Sequence, residues 1–309
     1  MTTHIGIEIG GTKLQLVVGT SDGAIIDRCR YTINKSDGAA GIRGQIADGL
    51  SQLLKNHRAT SIGVGFGGPL DHMTGRIARS HQIEGWSEFE LAAWLNQQSG
   101  LPVKVENDAN VAALGEAVAG VGKGMNPVFY VTLGSGVGGG LVVNGKIYHG
   151  AKPGESEIGH VRLDKSGVLV EQRCSGWAVD QKIRVAIQSA PESILAGLIG
   201  AVTHGEARFL REATEQGDEL AATILEETTD DLAFGLSHVT QLMHPEVIIL
   251  GGGLSLIGEP LRAGVEKHLL GYLMEVFGTG PQIRLAGLGE DVVPTGALLL
   301  AGAQETWKP

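Results

Sequence analysis

The chain has 309 residues, enough for two domains or one large one. With 42% hydrophobic residues and only two cysteines it can fill a core without disulfides, which excludes a disordered tail, a collagen-like fibre and a disulfide-stapled module. The formal charge is −10 with no basic run to offset it, so nucleic acid and anionic membrane surfaces are disfavoured as partners. The outlying number is glycine: 48 residues, about twice average usage.

The chain opens on a strand-like alternation, Ile5, Ile7 and Ile9, which meets Gly10-Gly11-Thr12-Lys13; residues 14–19 read as the returning strand of a hairpin. A second strand, 61–66, ends in Gly67-Gly68-Pro69. A third, 103–106, runs into Asn107-Asp108, which can cap a helix through Gly115 and Glu116. Strand 128–133 leads into the glycine run from Gly134 to Gly140, with 141–143, an Asn144-Gly145 turn and 146–148 behind it. Strand 247–250 ends in Gly251-Gly252-Gly253. Helical patterns cover 42–56, 88–98, 178–189, 205–215 and 220–243.

Strands alternating with helices predict an α/β fold, in which ligands collect at strand carboxyl ends, and the glycines cluster there. HIGIEIGGTKLQLVVG and PVFYVTLGSGVGGGLVV share a strand, a glycine turn and a strand. This weak repeat predicts two related halves, with a boundary near 116–126. No leader-like start is present and no apolar run approaches the ~20 residues of a membrane span, so a cytoplasmic protein without membrane contact is expected.

Two glycine motifs are false leads. Gly134–Gly139 and Gly63–Gly68 both satisfy G-x-G-x-x-G, but a hairpin follows the first and Pro69 the second, where the dinucleotide fingerprint needs a helix. No G-x-x-x-x-G-K-[ST] occurs, which rejects a Walker-type NTPase.

Gly10-Gly11-Thr12-Lys13, GFGGPLD (65–71), ENDAN (106–110), LGSGVGGGLVVNGKIYHGA (133–151), SEIGH (156–160) and LGGGLS (250–255) stand in the order of the ROK (repressor, open reading frame, kinase) family of sugar kinases, and the chain resembles that family over nearly its whole length. The resemblance implies a two-domain actin/hexokinase-like (ribonuclease H-like) α/β fold with an interdomain cleft. The N-terminal domain is expected over 1–117 and the larger C-terminal domain over 118–295, with a helix at about 296–309 packing back on the first. The implied activity is ATP-dependent phosphorylation of a hexose, glucose at the C6 hydroxyl in the leading reading, with Mg²⁺ and with homo-oligomerisation as dimer or tetramer. N-acetylhexosamine and fructose kinases are the alternatives, together with a sugar-binding regulator that has lost transfer.

By the same resemblance, the nucleotide site comprises Gly10, Gly11, Thr12 and Lys13 in a first phosphate loop, Gly134, Ser135, Gly136 and Gly138 in a second, and Gly252 and Gly253 beneath the adenosine. Bare glycines let amide N–H groups converge on phosphate oxygens, and Thr12 and Lys13 add a hydroxyl and a cation. Asp108 is the implied general base. Gly68, Gln82, Asn107, Asp108, Glu157, His160 and Glu171 are the implied sugar contacts, carboxylates being suited to accept two hydroxyl hydrogen bonds.

Two departures from the family pattern stand out. Glu8 replaces the usual Asp and is expected to hold Mg²⁺ through water, its extra methylene displacing a water or shifting the ion. The family's zinc cysteine cluster is missing: Leu169 falls where its last Cys would be, and His160 and Cys174 alone cannot supply four ligands, so no structural zinc is expected. Val168, Leu169 and Val170 are expected to pack in its place. His4, His57, His72, His149 and His244 show no pairing pattern in the sequence and read as structural or solvated.

Overall fold

Ile5, Ile7 and Ile9 alternate because they form one face of a strand, and all three are buried in the computed structural model of the chain, which describes residues 2–78, 83–152 and 156–303. The first elements are β1 (Thr3–Ile9), β2 (Lys13–Thr20), β3 (Ile25–Thr32), α1 (Gly38–Asn56), β4 (Ile62–Phe66), β5 (Leu70–Asp71), β6 (Arg76–Ile77), α2 (Leu91–Ser99), β7 (Val103–Asn107) and α3 (Asp108–Val118). They are followed by β8 (Val128–Leu133), β9 (Val137–Val143), β10 (Lys146–Ile147), α4 (Val170–Cys174), α5 (Gly176–Ser189), α6 (Ile194–Ile199) and α7 (Leu210–Glu215). The chain closes with α8 (Glu219–Met243), β11 (Val247–Gly251), α9 (Glu259–Tyr272), β12 (Gln282–Leu285) and α10 (Val292–Gly302). Mixed α/β architecture is what the alternating pattern predicted.

The chain divides into two compact units. The first is Met1–Gly124, Gly140–Glu155 and Gly287–Pro309; the second is Met125–Gly139 and Ser156–Ala286. These limits differ from 1–117 and 118–295 in three places, the first being that the N-terminal unit runs on to Gly124. The hairpin arm beyond Gly140 groups with the first unit because it lies flush on α3: a Cβ on Gly140 would sit 2.7 Å from Ala113 Cβ and 2.8 Å from Ala109 O. The chain rejoins the first unit at Gly287, before α10 begins.

The first unit is built on a sheet of order β3-β2-β1-β4-β7, with β1 antiparallel to β2 and parallel to β4, and β4 parallel to β7. One face carries Ile5, Ile7 and Ile9 and packs with Ile42, Ile46, Leu50 and Leu53 of α1. The other face is nearly bare, and α10 uses that: a Cβ on Gly63 would lie 2.0 Å from Ala297 O, and one on Gly6 2.8 Å from Pro294 O. Backbone thus meets backbone across helix and sheet, a contact any larger residue would prevent.

In the second unit β8, β11 and β12 run parallel, with β9 beside β8. The 25-residue α8 packs on α9 and α4. Strand β9 begins at Val137, so Gly138, Gly139 and Gly140 belong to a strand and not to an open glycine loop as their run suggested. The reason is packing: a Cβ on Gly139 would lie 2.7 Å from Ser156 O and 3.0 Å from Phe129 Cζ. Likewise 205–215 is a short 3₁₀ turn, Glu206–Phe209, followed by α7.

Candidate active site

Parallel pairing decides where the first unit's functional residues fall. Ile9 pairs with Phe66 and Phe66 with Asn107, so the carboxyl ends of β1, β4 and β7 finish side by side. The next residues along each strand are therefore neighbours: Gly10, Gly67 and Asp108. The Gly67 N–H donates to Ile9 O at 3.0 Å, and a Cβ on Gly67 would lie 3.2 Å from Asp108 Oδ2, so the glycine lets this carboxylate approach the loop. Gly68 follows it, partly exposed.

Gly10-Gly11-Thr12-Lys13 closes a hairpin in which the Gly10 N–H donates to Lys13 O at 3.1 Å. Thr12 is exposed, and Lys13 Nζ lies 3.5 Å from Glu8 Oε1. Glu8 Oε2 accepts from Gln15 Nε2 at 2.8 Å. Burial pushes the Glu8 carboxyl above its ordinary range, against the pull of Lys13 and Gln15. Glu8 fits a metal held through water: the Lys13 contact is long, and Oε1 keeps acceptor capacity for a metal-bound water.

Asn107 is the N-cap of α3, its Oδ1 accepting from the N–H groups of Ala109 at 2.9 Å and Asn110 at 3.3 Å. Asp108 is the first residue of the helix. Asp108 Oδ1 also accepts the Ala109 N–H at 2.9 Å, so both residues serve the first turn of α3, with the Asp108 carboxylate at the strand edge beside Gly67. Gln82 lies outside the described residues.

The second unit repeats the arrangement. Gly251 pairs with Thr132, so Gly134 and Gly252 follow adjacent strand ends. Gly252 has φ +80°, and a Cβ there would lie 2.6 Å from Leu133 N; only glycine suits both conditions. Gly134 is held by a turn to Gly136 and accepts from the Gly176 N–H at 2.7 Å, while Ser135 at the tip is exposed. Gly253 is exposed beside Gly252, and Gly138 lies inside β9.

Glu157 precedes the 3₁₀ turn Ile158–His160, and both Glu157 and His160 are exposed. That turn is pressed onto β9: a Cβ on Gly159 would lie 2.2 Å from Val137 O. Glu171, expected against the sugar, sits at the second loop, its Oε2 accepting the Val137 N–H at 2.9 Å. It braces that loop whatever else it contacts.

The residues around His160 do not fit zinc. Cys174 is fully buried, donates to Thr228 O at 3.8 Å, and has its thiol pushed far up by burial. Among the described residues no group of three or more His, Cys, Asp or Glu could hold a metal ion. In place of a cysteine cluster, Asp164 Oδ1 accepts from Ser166 Oγ and the N–H groups of Gly167 and Val168, closing a tight loop. Val170 is buried behind it, with Val168 and Leu169 half-buried.

Sequence reasoning missed one cluster altogether. His149, read as unpaired, lies 2.5 Å from Glu106 Oε2, and its ring stacks on that of His72 with centroids 3.8 Å apart. His57 also pairs, with Asp27 at 2.9 Å, and His4 lies between Ser61 and Ser21. These partners are 17 to 77 residues away in sequence, so no local spacing could signal them.

Among the described residues no helix is long and apolar enough to cross a membrane. The ROK family model matches residues 4–304. A glucokinase of Halalkalibacterium halodurans is 33% identical over 98% of this chain and 96% of its own length, and one of Thermotoga maritima is 28% identical over 95% of each. A crystal structure of a ROK family glucokinase from Streptomyces griseus in complex with glucose and AMPPNP superimposes with a TM-score of 0.83 at 31% identity, covering 97% of this chain and 99% of that one. A ROK hexokinase from Thermus thermophilus gives 0.79 at 26% identity. With its glycine loops and its Asn107-Asp108 step at the ends of parallel strands, the chain belongs to the ROK family and is a glucokinase-like sugar kinase.

Proposed function

We propose that this kinase transfers the γ-phosphoryl group of ATP in line to the C6 hydroxyl of glucose, with Asp108 as the base. The hydroxyl proton passes to Asp108 as the new O6–P bond forms, and the bond between Pγ and the bridging oxygen breaks to release ADP. The observation that carries this reading is the register of β1, β4 and β7, which sets Asp108 beside Gly67 and the Gly10–Lys13 turn. Phosphoryl transfer asks mainly for positioning and charge stabilisation, and a carboxylate fixed at a helix start supplies the first. Asn107 holds a neighbouring hydroxyl, and Glu157, His160 and Glu171 are assigned as further sugar ligands. When bound with the nucleotide, Mg²⁺ supplies charge neutralisation on the phosphate oxygens, and Glu8 would hold it through water.

Glucose is favoured over N-acetylhexosamine and fructose because the full-length relatives at 33% and 28% identity are glucokinases. An ADP-release assay with a panel of hexoses on wild type and Asp108→Ala tests the reading. Glucose-dependent turnover that falls at least about a hundredfold in the variant supports it. Turnover kept by Asp108→Ala would remove Asp108 from its role.

One observation favours a second reading, a sugar-binding regulator: Gln15 occupies Glu8 Oε2, which leaves only Oε1, with Lys13 at 3.5 Å, for a metal-bound water. Tight glucose binding with no turnover on ATP or polyphosphate would establish it. Zinc is assigned no part, and one zinc per chain in metal analysis of the purified protein would overturn that. Assembly into dimers or tetramers is expected, and light scattering of the full chain tests it.

A further inference from the structure

The residue under the Asn107-Asp108 step is Glu106, the last buried side chain of β7. Its Oε1 accepts the Asn107 N–H at 2.8 Å and Asn110 Nδ2 at 3.1 Å. Its Oε2 faces His149 Nε2 at 2.5 Å. The carboxylate thus gathers the backbone of one proposed sugar ligand, the first turn of α3 and a side chain from the segment after β10. Burial pushes the Glu106 carboxyl up, but the hydrogen bond and charge of His149, the Asn107 N–H and the Asn110 amide outweigh it and hold the group below its ordinary range.

His149 is itself held. Its ring lies flat on His72, tilted by 6°, and His72 directly follows Asp71, whose two oxygens each accept from Lys152 Nζ at 2.9 Å. Asp71, His72, Glu106, His149 and Lys152 are the charged and titratable groups of this cluster, and all belong to the first unit. A chain segment more than forty residues beyond β7 is therefore pinned to β7 at Glu106 and to β5 at Asp71.

We propose that His149 is a positioning residue for phosphoryl transfer: by donating to Glu106 it fixes the turn that presents Asn107 and Asp108. The inference rests on the kinase reading above and deepens it. Without the imidazole, Glu106 keeps its place only through the groups it is meant to position. The Asn107-Asp108 step then loosens, and misplacement of this size costs rate far more than stability.

The test compares wild type, His149→Ala and His149→Gln, the last of which can still place an N–H on Glu106. Turnover and KM for glucose are measured together with hydrogen exchange of the amides at 107–111 and the thermal midpoint. In His149→Ala, kcat is expected to fall about tenfold or more. Exchange at 107–111 should rise, while exchange in α8 stays at the wild-type rate. In His149→Gln most of both is expected to return. Unchanged exchange at 107–111 in His149→Ala overturns the inference, as does a glutamine variant that keeps slow exchange yet is as inactive as alanine. If the alanine variant fails to fold, the glutamine variant alone decides on the same two readouts. Should wild type turn over no sugar, the kinase reading fails, and the exchange measurement still decides whether His149 fixes the turn.

Discussion

Glu116 offers the sharpest test of how the first unit is held together. It is fully buried in α3, where Oε1 accepts the N–H groups of Gly287 and Leu288, both at 2.8 Å, and Oε2 accepts the Val121 N–H at 3.0 Å. The chain first leaves the first unit after Gly124 and finally rejoins it at Gly287, so one carboxylate ties down the segment before the first exit and the segment at the last return. In Glu116→Gln the shape is kept, but whichever way the amide turns, an N–H meets an N–H. Either the Val121 donor or the Gly287 and Leu288 pair loses its acceptor. Each charge-assisted bond contributes roughly 1.5–3 kcal/mol and each buried unsatisfied group costs roughly 1–3 kcal/mol. Relief from desolvating a buried carboxylate offsets part of this, leaving a net loss of about 2–4 kcal/mol. Urea unfolding followed by the fluorescence of Trp86, buried in the first unit, reads that loss as an earlier midpoint at unchanged slope. A variant within about 0.5 kcal/mol of wild type would refute the argument, since no loss of a charge-assisted buried bond is that small.

Two further outcomes follow from packing and charge. Gly139→Ala drives a methyl within 2.7 Å of Ser156 O and 3.0 Å of Ile158 Cγ2, so it should cost about 1–3 kcal/mol in thermal stability and weaken glucose binding measured by calorimetry, because Glu157 sits between those two residues. Glu206 is fully buried against Arg184, with Nε at 2.5 Å and Nη2 at 3.1 Å, and the Arg184 hydrogen bond holds its carboxyl below the ordinary 4.5. A lowered carboxyl contributes stability that is fully present above its unfolded value and lost as pH falls through its folded one. Arg184→Met should therefore be destabilised at pH 7, and its gap from wild type in denaturant midpoint should narrow as pH falls below the ordinary 4.5 and through the lowered folded value. A gap that is constant across this range would show that the loss is packing alone.

The strand ends were legible because they are punctuated: an apolar run that meets Gly-Gly or Asn-Asp has few other ways to continue. Most of the candidate site lies at those points, so its residues could be picked out before the sheet order was known. The glycines themselves were ambiguous, because the same letter serves a loop facing a ligand and a sheet facing a helix. Gly139 stands in a glycine run that continues a phosphate loop, and Gly63 in a strand that also opens a G-x-G-x-x-G match, yet the first makes room for Ser156 and the second for Ala297. His149 and Glu106 were illegible for another reason. Their pairing depends on the hairpin after β9 lying on α3, a three-dimensional fact with no local pattern, and a lone His beside a Gly gives no sign of it.

Glu8 is where chemistry and packing meet, and shortening it separates the two readings of this protein. Gln15 holds Glu8 Oε2 at 2.8 Å and cannot follow a retreating carboxylate, because its own Oε1 accepts from Arg30 Nε at 2.8 Å. Arg30 in turn lies 3.7 Å from Glu290 and 3.9 Å from Asp291 at the start of the segment leading into α10. Glu8→Asp withdraws the carboxylate by one methylene, roughly 1.5 Å, which breaks the Gln15 bond and costs about 1–2 kcal/mol. If Gln15 and Arg30 set Glu8 at the reach a water-held metal needs, the variant should lose turnover several-fold, with the loss growing as Mg²⁺ is made limiting at fixed ATP. If instead the longer side chain has disabled transfer, turnover should rise from near zero on the same substitution. A rise would retire the kinase reading for the wild-type chain, because the Gln15–Arg30 chain would then hold a carboxylate in the wrong place rather than the right one.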